Sequence, residues 1–181
     1  MEWMEEVQKR IKHGNQILFS KESAFLQDID ALIAAQDRRT VTLWALSLAE
    51  EAADILAERY PQECSARSAV DITRLWASGT VKMPEAKREI LRCHAFAKKI
   101  TALEDIALCH AVGQACSVVH TKRHAMGFPV YELTAIVRHY GLADCKEPVL
   151  WRKQEYMDRM LYWQSHAQLQ SCIWADFMWK E

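Results

Sequence analysis

Residues 106–121, IALCHAVGQACSVVHT, contain no Asp, Glu, Lys or Arg, in a chain of which 26% is charged. Advanced at about 100° per residue, the stretch sorts by side. His110, Gln114, Ser117, His120, Thr121 and His124, with Gly113, fall in one arc of roughly 120°. Ala, Val, Leu and Cys fill nearly all the rest up to Lys122, and Ile106 is the one apolar residue in the polar arc. A helix apolar over most of its circumference has to be wrapped by others. The segment therefore predicts a central buried helix over about 102–126 with one polar seam. Around it the chain should build an all-α domain.

The remaining segments carry the same period. A first amphipathic helix, 2–13, places Trp3, Val7 and Ile11 on one side and closes at Gly14. Ser20 is placed to cap a second, with Phe25, Ile29, Leu32 and Ile33 inside. A third runs from about Arg38 to Tyr60-Pro61 on a core line of Val41, Trp44, Leu48, Ala52 and Ile55. A fourth covers 64–78, with Ala66, Ala69, Thr73 and Trp76 inside, and stops at Gly79. Pro84 opens a fifth, with a stripe of Ala86, Ile90, Cys93, Ala97 and Ile100. Thr101 and Glu104 have capping-box spacing ahead of the central helix. Pro129 should end or kink that helix, since it lacks an amide proton and excludes its predecessor from the helical region. A helix over 129–140 then stops at Gly141. The last, 148–178, would reach about 45 Å if unbroken, against a radius of gyration near 16 Å for a domain of this length. Its Trp151, Tyr156, Tyr162, Trp163, Trp174 and Trp179 need cover. Docking of its first half on the body, and a contact between two copies around Ile173, Trp174 and Phe177, would supply it.

The expected organisation is thus one helical domain of seven to eight helices over 1–181. It has an N-terminal extension (1–29), a core (30–140) and the aromatic C-terminal helix (148–178). A net charge of −1 supplies no basic excess for nucleic acid. The uncharged run is too short, and too polar on one side, to span a bilayer. The N-terminus has no apolar signal region. The six cysteines (64, 93, 109, 116, 145 and 172) contain no C-x-x-C pair and mostly occupy apolar helical positions, which reads as reduced thiols in a cytoplasmic protein.

His120 and His124 have the i, i+4 spacing by which two imidazoles reach one zinc ion, and Cys116 extends the row. Thr121 stands where a zinc hydrolase would need Glu, and no second cluster supplies the missing ligands. No metal or other cofactor is therefore expected. His110, Gln114, Ser117 and Thr121 either bond to neighbouring helices or line a groove for a ligand or partner. Unpaired burial would cost about 1–3 kcal/mol each. Glu50, Glu51, Asp54 and Glu58 make an acidic face, solvated or facing a basic partner. No glycine-rich phosphate loop, dinucleotide fingerprint or G-x-S-x-G elbow is present. A Cys–His pair among Cys93, Cys109, Cys116 and the nearby histidines is the one nucleophilic arrangement left open.

Four segments carry a family resemblance: LWALSLAEEA (43–52), ARSAVDITRLWASG (66–79), AVGQACSVVHTKRHAMG (111–127) and VYEL (130–133). In order and spacing they resemble the bacterial putative immunity protein family of polymorphic toxin systems, over about residues 30–140. Trp44, Glu50 and Trp76 match its earlier segments. Gly113, Gln114, His120, His124, Ala125 and Gly127 match its G-Q-A…H-x-x-x-H-A-[LM]-G segment. Cys109 and Cys116 depart from it, standing where alanine-like residues are usual. The resemblance implies a compact all-helical protein that binds and neutralises a cognate toxin without catalysis. The alternatives from other classes are a small helical enzyme or metal- or ligand-binding protein using the His110/Gln114/His120/His124 seam, and a structural protein acting through its C-terminal helix.

Overall fold

The computed structural model describes residues 3–169 and 173–180; Cys172 lies outside them. Among the described residues there are eight α-helices: α1 Trp3–Lys12, α2 Gln27–Ala34, α3 Arg38–Arg59, α4 Ser65–Ala77, α5 Met83–Phe96, α6 Leu103–Ser117, α7 Gly127–Asp144 and α8 Lys146–His166. The fold is all-α, and α6 is its centre, packed by α3, α4, α5 and α7. Ala107, Cys109, Ala111, Val112, Ala115 and Cys116 are all buried. Small side chains on every side of α6 let four neighbours approach its axis closely.

Local chemistry sets the helix ends. Asp37 caps α3, its carboxylate accepting from the amides of Arg39 (2.9 Å) and Thr40 (3.1 Å) and from the Thr40 hydroxyl (2.9 Å). Partial burial works against that charge, but these donors outweigh it and hold the carboxyl below the usual range. The capping box expected from Thr101 and Glu104 does not form. Ala102 takes the cap position without a side-chain bond. The acids of that first turn point to other helices: Asp105 accepts from Arg59 and from Tyr60 Oη (2.8 Å), and Glu104 faces His139. Gly141, at φ 74° and ψ 165°, breaks the end of α7 and lets α8 turn back.

The largest departures from the sequence expectation are at two helix ends. The central helix was expected to reach residue 126, but α6 stops at Ser117. A tight turn follows, then a 3-10 turn over Lys122–His124. Val118 and Val119 are both fully buried, Val118 in the main core and Val119 in a second cluster with Trp76, Ala77, Ala86 and Met178. A continued helix would separate them by only about 100°. The β-branched Val118, Val119 and Thr121 add little preference for helix. Thr121 is extended (φ −156°, ψ 137°), and Lys122 Nζ ties the turn to the Gln36 carbonyl at 2.7 Å.

The last helix was expected over 148–178, but α8 ends at His166; residues 170–172 of the expected span lie outside the described ones. Residues 173–180 return to the body. Ala175 N–H donates to the Ala77 carbonyl (2.9 Å), Arg38 donates to the Phe177 carbonyl (3.0 Å), and Arg39 stacks over the Trp179 ring. Met178 is buried and Phe177 packs near Trp76. Covering these side chains on the chain's own second core replaces a helix that would overhang the body. Phe177, expected at a contact between two copies, is thus partly covered within its own chain, while Ile173 stays exposed. The buried line of α8 is Val149, Arg152, Tyr156 and Met160, not the tryptophans; Trp151 is 69% exposed.

Candidate functional site

The expected polar seam separates into small local sets. His110 leaves α6 toward α5, where its Nδ1 lies 2.8 Å from Nδ1 of His94, and the ring of Tyr131 of α7 lies against it at a tilt of 40°, with centroids 5.2 Å apart. Two facing Nδ1 atoms share one proton, with one donating and the other accepting. Burial lowers the pKa of both rings, and the nearness of His110 adds to the effect on His94. His94 is a site residue that sequence reasoning missed, because only the pairing of α5 with α6 brings it within reach. Gln114 Oε1 accepts from His124 Nδ1 at 3.1 Å. Burial, then His120, lowers the His124 pKa. Ser117 donates to the Gly113 carbonyl (2.8 Å), and Thr121 Oγ1 accepts from the Arg123 amide (3.4 Å). His120 is exposed in the turn.

With α6 ended at Ser117, His120 and His124 no longer share a helix face. Among the described residues no group of three or more His, Cys, Asp or Glu is placed to hold a metal ion. Cys93, Cys109, Cys116 and Cys145 are buried, and Cys64 is exposed. The Cys109 thiol and burial push the Cys93 thiol up, and burial pushes Cys116 up to about 12, so these two are inert as nucleophiles at neutral pH.

The acidic face of α3 is mostly spent inside the fold. Glu50 pairs with Arg74 and Asp54 with Arg67, both on α4. Glu51 pairs with Arg152 (3.0 Å) and Arg159 (2.5 Å) of α8. Glu58 has no ion pair among the described residues.

The Glu51 contact belongs to a larger network that sequence reasoning did not foresee. Glu132 of α7 and Arg152 of α8 are 5% and 8% exposed. Arg152 Nε and Nη2 donate to the two Glu132 oxygens at 2.9 and 2.8 Å, and Tyr156 Oη donates to the same carboxylate. Arg152 Nη1 also reaches Glu155 at 2.6 Å. Burial alone would lower the Arg152 pKa, but the charge and hydrogen bonds of Glu132 outweigh it and the guanidinium stays protonated. Burial first, then Glu132, pushes the Tyr156 phenol well up. Trp44 Nε1 donates to the Tyr156 carbonyl (2.9 Å), fixing α8 to α3.

This network forms one wall of a groove of about 670 Å³ between α3, α6, α7 and α8. Its floor is apolar: Ile55, Leu108, Ala135 and Ile136. Trp151 and Tyr140 stand at its mouth, 69% and 50% exposed, and Glu104 and Glu147 add carboxylates. Apolar depth and exposed aromatic rings beside a wall of fixed ion pairs make a surface suited to recognition.

A family model described as Imm-5 like putative immunity protein matches residues 31–159, from within α2 to within α8. That span is well over half of the chain and includes every element of the groove. No curated protein and no solved structure matches.

Proposed function

The chain belongs to the Imm-5 like putative immunity protein family, and we propose on that premise that it protects the cell that makes it by binding a cognate protein toxin and blocking it. The family match over residues 31–159 is the observation that carries this reading. Protection works by occupancy, so the rigid framework matters more than any reactive group. The buried Arg152–Glu132 pair and the Trp44–Tyr156 bond hold α3, α7 and α8 as one preformed face. A preformed face loses little conformational entropy on binding. We place the protein in the cytoplasm, within a polymorphic toxin system, where a toxin entering from a neighbouring cell would be met. No helix of the described residues is long and apolar enough to cross a membrane, in keeping with such a location.

Toxin genes beside this one in its genome supply the test. Each product is expressed in a sensitive host with and without this chain, and complex formation between the purified proteins is followed by gel filtration. Restored growth together with a stable complex is expected for one neighbour. If no neighbouring product is bound or neutralised, the reading is wrong.

A further inference from the structure

We propose that the groove between α3, α6, α7 and α8 receives an arginine side chain presented by the partner protein. The inference rests on reading this chain as a binding protein and names the chemistry of the contact. It follows from the distribution of charge and aromatic surface around the groove.

Both arginines that line the groove are already committed. Arg59 pairs with buried Asp105, and Arg152 is shared among Glu132, Glu51 and Glu155. The carboxylates are not balanced in the same way. Glu147 has no ion pair among the described residues. Among the described residues Glu104 has only His139, at 4.0 Å, beyond hydrogen-bond distance. The mouth therefore carries unspent negative charge above an apolar floor.

Three kinds of occupant can be compared. An anionic group would face Glu104 and Glu147 and be repelled. A purely apolar side chain would cover the floor but strip water from those carboxylates without replacing its hydrogen bonds, a net cost. A cation on an apolar stem satisfies both parts. Between the two natural cations, the exposed indole of Trp151 and phenol of Tyr140 favour arginine. A planar guanidinium stacks on aromatic faces and forks onto a carboxylate, whereas a lysine ammonium is a compact, strongly hydrated point charge. The arginine stem would lie along Ile55 and Ile136, with its head toward Trp151, Glu104 and Glu147, which line the same groove. Exposed aromatics next to an arginine socket are also the composition of binding hot spots.

N-acetyl-argininamide is the probe. It is titrated into the full isotope-labelled chain while the Trp151 indole N–H resonance, assigned with Trp151→Phe, is followed. A saturable shift in the millimolar range is expected, with N-acetyl-lysinamide at least threefold weaker and N-acetyl-norleucinamide giving no saturable shift. Glu104→Gln/Glu147→Gln should weaken the arginine response at least tenfold, and Lys87→Glu on the outer face of α5 should leave it unchanged. No saturable shift, or an equal response in the double variant, overturns the proposal. The growth assay supplies an independent arm using Trp151→Ala, whose exposed side chain keeps folding out of the comparison, and Glu104→Lys/Glu147→Lys. Failure of the wild-type chain to protect counts against the immunity reading and leaves the titration to decide the groove. Protection by wild type and by both variants alike would overturn the arginine socket and leave the immunity reading standing.

Discussion

Gly113 lies in the middle of α6, where alanine should ordinarily be better. Replacing a helix-interior glycine by alanine gains about 1 kcal/mol, because glycine loses more backbone freedom on folding. Here the sign should reverse. A Cβ built on Gly113 would lie 2.3 Å from Nε2 and 2.4 Å from Cε1 of His94. Non-bonded heavy atoms rest about 3.5–4.0 Å apart, so the imidazole would have to retreat by more than about 1 Å. It is tethered on its other side, where Nδ1 meets Nδ1 of His110 at 2.8 Å. A retreat of that size breaks the bond, costing about 0.5–1.5 kcal/mol, on top of about 1–3 kcal/mol for overpacking. Against the gain of about 1 kcal/mol, Gly113→Ala should destabilise the protein by about 0.5–3.5 kcal/mol. With a urea slope of about 2 kcal/mol/M the midpoint falls by about 0.25–1.75 M. Circular dichroism at 222 nm during urea unfolding measures it. In a His94→Ala background the three nearest obstructing atoms are gone, and the same substitution should become stabilising by up to about 1 kcal/mol. A Gly113→Ala protein as stable as wild type would refute the reasoning.

Other expectations follow from the same packing. Glu132→Ala should cost about 3 kcal/mol, the low end for orphaning a buried ion, because Arg152 keeps Glu51 and Glu155. In Glu132→Leu/Arg152→Met most of that loss should be recovered, and a urea double-mutant cycle with no coupling would contradict the burial described. Ala111→Leu, on a fully buried face of α6, should cost about 1–3 kcal/mol by overpacking; an unchanged urea midpoint would mean that face is open. Because burial lowers the pKa values of His94 and His110, the unfolded chain binds the extra protons first. Stability should therefore be full above the unfolded histidine value of about 6.5 and fall as the pH drops below it. Melting temperatures from pH 7.5 to 5 should drop less steeply for His94→Gln/His110→Gln than for wild type. The depressed carboxyl of Asp37 acts at lower pH, below the ordinary aspartate value of 3.8.

Much of the scaffold could be read from hydrophobic period and punctuation. The span of α3 and its line of Val41, Trp44, Leu48 and Ala52 are found inside as expected, as are Ala66, Ala69, Thr73 and Trp76 of α4. Ile55 departs from its line because it floors the groove rather than the core. Periodicity failed where a turn is as apolar as a helix: Val118 and Val119 look helical, yet two separate cores bury them. It also could not see partners distant in sequence. Arg152 and Glu132 look like ordinary surface charges until α7 and α8 are paired, and His94 looks like an outer residue of α5 until α6 is laid beside it. The Trp151 ring is among those expected to need cover, because large aromatic faces usually pack against the body or a second subunit. It lies instead at the groove mouth, on a side of α8 set by Val149, Arg152, Tyr156 and Met160.

The small cluster of Trp76, Ala77, Ala86, Val119 and Met178 stands apart from the main core. Residues 173–180 are attached through the Met178 side chain, through the partly buried Trp174, Ala175 and Phe177 packed on this cluster, through the Ala175–Ala77 and Arg38–Phe177 bonds, and through Arg39 over the Trp179 ring. Segments so attached detach at a free energy below that of global unfolding. The Ala175 amide should then exchange its hydrogen with solvent through a subglobal opening that needs little denaturant, while the amides of α6 wait for the whole domain to come apart. The two hydrophobic clusters make a hierarchy of openings, in which the C-terminal segment can leave and return with the groove between α3, α6, α7 and α8 still assembled.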